Sequence, residues 1–152
     1  FAVKGGMKQM SMQSDLLTKE VHKAAQSGLE AVETILPKVT KPSLKKEIEN
    51  QGVAYQKLIA RSQKILQQSG SLPEKNPPIQ KAVMWGAIQL NTLADASPEH
   101  VAEMMINGSN MGIVEMSKQV NRYEFADHKS LKLAADFIEG EQRHIEQLKE
   151  YL

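Results

Sequence analysis

Apolar residues return every three to four positions through most of this chain, and no segment competes with the two-residue alternation of a strand. In residues 14–36, Leu17, Val21, Ala24, Ala25, Gly28, Val32 and Ile35 fall in one stripe at about 100° per residue, ending before Pro37. Ser14 is the expected N-cap. Gly28 lies in mid-stripe, where a glycine costs about 1 kcal/mol relative to alanine, so a close neighbour is expected against it. Glu30 points to solvent, and Glu20 sits at the stripe's edge. Beyond Pro42-Ser43, where Ser43 can cap, a second stripe carries Leu44, Ile48, Gln51, Tyr55, Leu58, Ile59, Ser62, Ile65 and Leu66, and Ser69-Gly70 ends it. These two helices predict an antiparallel hairpin.

Pro73, Pro77 and Pro78 make residues 70–78 the longest linker and the expected crossover. A third helical region is expected from Ile79, with Val83, Met84, Ala87 and Ile88 inward and a kink or break near Ser97-Pro98. Ser97 reads as N-cap, Pro98 as the first helical residue and Glu99 as a favourable charge in the first turn. Past the break, Val101, Met104, Met105, Gly108, Gly112, Glu115, Met116, Gln119 and Tyr123 line one side. The last helix opens at Asp127 and shows Leu131, Ala134, Phe137, Ile138, Ile145 and Leu148, with Glu141 central and His144 about 60° to the flank. The expected fold is all-α: an antiparallel four-helix bundle, up-and-down or with a single crossover.

Composition narrows the partners. The 152 residues suit one domain, residues 14–152, preceded by residues 1–13 as a disordered or vector-derived extension. Nineteen Lys and Arg against eighteen Asp and Glu leave no one-signed field for nucleic acid or an anionic membrane. The longest apolar run, residues 82–88, is far short of the ~20 residues of a membrane span, so a soluble protein is expected. The absence of Cys removes disulfides, thiol nucleophiles and thiolate metal sites, and fits a cytoplasmic location. Any metal must be held by carboxylate and imidazole.

Two seams carry an acid where a purely structural bundle would place Leu. Glu115 lies in the third helix, and Glu141 lies in the fourth with His144 three residues on. Buried carboxylates need a proton, a cation or a metal to compensate them. A divalent ion held by Glu115, Glu141 and His144 answers that need, Fe, Mn or Zn being the candidates. The motif alone proves nothing, since about 0.4 occurrences of Glu-x-x-His are expected by chance in a chain of this composition.

On these residues the chain resembles the ferritin-like superfamily, whose di-metal members carry one Glu on helices one and three and Glu-x-x-His on helices two and four. The resemblance implies Glu115 as the single ligand of helix three, with Glu141 and His144 as the pair of helix four. Gly28 stands where helix one would need its Glu, and Gln51-Gly-Val-Ala54 stands where helix two would need Glu-x-x-His. A degenerate, half-retained site is the expectation.

Each candidate has a plainer reading. Glu115 can snorkel or pair with Lys118, and Glu141 with His144 can be an exposed intrahelical pair. Gln51 and Ser62 can hydrogen-bond across the interior and set register. Met104, Met105, Met111 and Met116 read as adaptable core filling rather than a thioether site. His100 with Glu103 reads as a surface pair. His22 and His128 have no partner at ligand spacing, and Trp85 reads as packing. No triad, phosphate loop or nucleophile elbow is present, so the alternative to a metalloprotein is a non-enzymatic interaction or scaffold module. That module would self-associate through the Met-rich third helix with its Gly108/Gly112 pair, or bind a protein partner. A small-molecule carrier with a pocket near Ser97-Pro98 is a third option.

Overall fold

The computed structural model describes residues 2–71 and 94–152. Within them lie four long helices, α1 (Ala2–Ile35), α2 (Pro42–Gln68), α3 (Pro98–Arg122) and α4 (His128–Leu148), with 3-10 turns at Leu36–Lys38 and Lys149–Tyr151. The chain is an all-α helical bundle. The expected helix from Ile79, the linker prolines and Trp85 lie outside the described residues.

Local chemistry sets the helix ends. Pro42 occupies the first turn of α2 with Lys41 as N-cap, so Ser43 is inside the helix and does not cap it. Gly70 ends α2 with φ +77°. There the Ser71 and Gly70 amides bond back to the carbonyls of Leu66 and Gln67, a closure that the left-handed conformation permits and that glycine adopts without steric cost. Ser97 accepts from the His100 amide to start α3, with Pro98 and Glu99 in the first turn. Residues 94–97 ahead of it are not helical. Asp127 accepts from the Ser130 amide to start α4.

The first helix departs from expectation. It starts at Ala2 rather than Ser14, and residues 2–13 form its opening turns in place of a disordered extension. Ser14 is therefore mid-helix: its hydroxyl donates to the Met10 carbonyl at 2.6 Å and accepts from the Asp127 amide at 2.7 Å, where α4 begins.

Side-chain contacts fix the directions. Ser71 bonds Asp15, and His22 meets Ser62, so α1 and α2 are antiparallel. Thr18 meets Ser130, so α4 runs parallel to α1. Arg61 meets Asp136 and Tyr55 meets Glu141, so α2 and α4 are antiparallel. The short α3–α4 connection turns α3 back against α4, leaving α2 and α3 pointing the same way.

One apolar core joins all four helices through Leu17, Val21, Ile35, Leu44, Ile48, Val101, Leu133, Phe137 and Leu148. Leu133 was not on the expected seam of α4, while Leu131 and Ile138 are only partly buried. The buried line of α4 is thus turned by about 45° from the expected one at 100° per residue. On α3 the buried residues are Val101, Ala102, Met105, Ser109 and Met116. That line lies about 50° from the stripe that Met104 and Gly108 suggested.

Candidate functional site

These two rotations decide what reaches the interior. Turning α4 brings His144 inward beside Glu141, and both are buried. Turning α3 carries Glu115 out: its side chain is 60% exposed and pairs with Lys118 at 3.1 Å. The three expected ligands are therefore not brought together. Among the described residues no group of three His, Asp or Glu side chains is placed to hold a metal ion.

What assembles instead is a polar layer through the middle of the bundle. From α2, the Tyr55 hydroxyl donates to Glu141 Oε1 of α4, and Gln51 Nε2 donates to the Tyr55 oxygen at 2.8 Å. Gln51 Nε2 also lies 3.4 Å from Ser109 Oγ of α3. Ser109 in turn hydrogen-bonds the Glu141 carboxyl. The His144 ring is tilted against that of Tyr55 with centroids 6.4 Å apart.

Two glycines shape the layer. A Cβ on Gly28 would lie 2.5 Å from Tyr55 Cζ, so α1 needs a bare backbone where the tyrosine ring crosses it. A Cβ on Gly112 would stand 3.4 Å from the Phe137 ring and 3.9 Å from Glu141 Oε2. The close neighbour expected for Gly28 is thus Tyr55. Gly108, the other half of the expected glycine pair, has nothing within 4 Å of its Cβ position and is not an approach point inside this fold.

Burial dominates the electrostatics. It raises the Glu141 pKa above the usual carboxyl value, and the hydrogen bonds from Ser109 and Tyr55 pull it partly back. Burial, then the Glu141 charge, pushes the Tyr55 hydroxyl well above the usual phenol value. His144 is lowered to about 4, mainly by burial and then by the neighbouring Arg143 charge, against the opposing hydrogen bond to Gln147. His144 is therefore neutral near pH 7.

Two further polar contacts were not legible as pairs. His22, which sequence spacing left without a partner, is buried with Nδ1 2.9 Å from Ser62 Oγ, and Ser62 donates to the Ile59 carbonyl at 2.8 Å. Nearer the α4 N-terminus, Thr18 and Ser130 hydroxyls lie 2.9 Å apart. Among the described residues, the unpartnered buried acceptors are Gln26 Oε1, Glu47 Oε2 and Gln119 Oε1, none of them in the Tyr55–Glu141 layer.

The layer does not fit a two-metal centre. The Tyr55 ring fills the space beside Gly28 that a carboxylate of α1 would need, and α2 offers an amide at Gln51 and a methyl group at Ala54. Its inherent chemistry is proton holding, with a buried carboxyl bound to a phenol and a hydroxyl.

No protein-family model matches the chain, and no curated protein matches it. Among solved structures, the crystal structure of a DUF305 fragment from Deinococcus radiodurans is similar, with a TM-score of 0.71 at 13% identity over 91% of this chain and 93% of that one. The likeness concerns the helical fold. Among the described residues no helix is long and apolar enough to cross a membrane.

Proposed function

We propose that this domain is a non-enzymatic helical interaction module that self-associates through α3. The observation that carries the reading is the surface of that helix. Residues 104–114 contain no charged side chain, although Asn107, Gly108, Asn110, Met111 and Val114 are exposed. Met111 is 39% and Val114 53% exposed. A solvent face of a bundle helix ordinarily carries charge along its length, and a neutral, partly apolar stretch marks a surface that can be covered. The interior supports the same reading, because Glu141, Tyr55, Gln51 and Ser109 satisfy one another and need no substrate.

Sedimentation velocity across a concentration series tests it. The expected result is a concentration-dependent dimer that Met111→Lys abolishes without changing the helical circular dichroism. A strict monomer at every concentration would overturn the reading. The absence of Cys fits a cytoplasmic setting for such a module.

A second reading rests on Glu141 and His144 being buried together on one helix, in a bundle whose α2 and α3 are parallel as in single-crossover ferritin-like folds. In it the domain is a ferritin-like relative, and one Fe, Mn or Zn ion takes Glu141 and His144 as ligands without Glu115. Elemental analysis of protein purified without chelator, beside Glu141→Ala, checks this: metal lost with the carboxylate supports it, and content near zero in both ends it.

A further inference from the structure

The exposed face of α3 also contains the instructions for its own pairing. At about 100° per residue, Glu103, Asn107, Asn110, Met111, Val114 and Lys118 fall within roughly 100° of arc, diametrically opposite the buried line of Val101, Met105, Ser109 and Met116. All six are exposed. The two charged members stand at the ends, Glu103 with a side chain 60% exposed and Lys118 64% exposed. They are about 22 Å apart along the axis, and the four members of the face between them, Asn107, Asn110, Met111 and Val114, are neutral.

We infer that a second copy of this chain packs its α3 antiparallel across this face, with a two-fold axis between Asn110 and Met111. This register rests on the self-association proposed above and adds its geometry. In it Glu103 of each copy faces Lys118 of the other, Asn107 faces Val114, and Asn110 faces Met111. A parallel pair would set Glu103 on Glu103 and Lys118 on Lys118, so the charges select the antiparallel one. One turn further out, exposed Glu99 and Arg122 fall in the same reciprocal relation. Glu115 lies on the flank, where the second copy brings Met104 and Gly108 and no like charge.

Within one copy, Lys118 pairs with Glu115 at 3.1 Å and His100 Nδ1 lies 4.0 Å from Glu103. Both are exposed contacts one helical turn apart, which exchange readily for contacts across an interface. A two-fold pairing of one patch with itself closes at two copies and does not propagate.

The experiment is a charge swap read by sedimentation equilibrium. Glu103→Lys and Lys118→Glu should each raise the dimer dissociation constant about fivefold or more, and the double variant should return it to within about twofold of the parent. Because both positions are exposed, unchanged thermal midpoints of the variants at concentrations where all are monomeric confirm folding. If the parent dimerises and Met111→Lys abolishes the dimer while the double swap fails to recover it, this register is overturned and self-association through α3 stands. If the parent dimerises but Met111→Lys has no effect, both the face and the register are wrong. A monomeric parent overturns both.

Discussion

The hydroxyl of Tyr55 on α2 donates to Glu141 Oε1 on α4 at 2.5 Å, joining two antiparallel helices at the centre of the bundle. This bond gives a buried carboxyl a donor beside that of Ser109 and makes the layer a specification of helix register as much as a source of stability.

Glu141→Ala should therefore do more than remove an acid. It leaves the Tyr55 hydroxyl without its acceptor and opens a cavity beside Gly112, at a cost of about 2–4 kcal/mol. Glu141→Gln keeps an acceptor for Tyr55 and should stay within about 1 kcal/mol of the parent at neutral pH. Urea unfolding of the three proteins checks the order. Equal loss in both variants would mean that the charge, not the hydrogen bond, matters at this position.

Alanine at Gly28 and at Gly140 should move stability in opposite directions. Both are helical glycines, and alanine is favoured there by up to about 1 kcal/mol on propensity. Gly140 has nothing within 4 Å of its Cβ position, so the gain is realised. At Gly28 the new methyl meets the Tyr55 ring, which is held by Glu141 and Gln51 and cannot swing away, and a net loss of about 2 kcal/mol is expected. Thermal melts of the two variants provide the comparison.

Acid should weaken the fold through His144. With its folded pKa at about 4 against 6.5 for the free side chain, the unfolded chain takes up a proton at a higher pH than the native state does. Stability from this group is complete above about 6.5 and is lost as pH falls toward 4, by about 2 kcal/mol once solvent at the ring's edge is allowed for. Glu141 acts with the opposite sign. Its raised pKa lets the native state hold a proton that the unfolded chain releases, so its contribution is full below 4.5 and falls as pH rises through the folded value. Unfolding free energies from pH 4 to 8 should show the acid limb flattened in His144→Gln and the opposing limb flattened in Glu141→Gln.

The caps and stripes were legible because they are local. Ser97-Pro98 and Asp127 mark helix starts through atoms three residues apart, and Gln51, Tyr55 and Ser62 recur at helical spacing. Glu141 was legible for the same reason, since it sits in mid-stripe on either choice of seam. Glu115 and His144 were not, because both sit near a seam boundary where a rotation of about 50° exchanges inside for outside. Met104 and Gly108 drew the α3 stripe away from Ser109, whose hydroxyl proves to be core. His22 could not be read at all, as its partner Ser62 is forty residues away and only the α1–α2 pairing brings them together.

The links from Ser14 to Asp127 and from Thr18 to Ser130 bridge more than a hundred positions of chain. A polypeptide leaving the ribosome can zip the α1–α2 hairpin early, but Thr18 then faces an incomplete interior until α4 has emerged. Synthesis thus imposes a waiting period in which half the structure exposes its apolar side, and it is in that interval that binding by a chaperone would matter most.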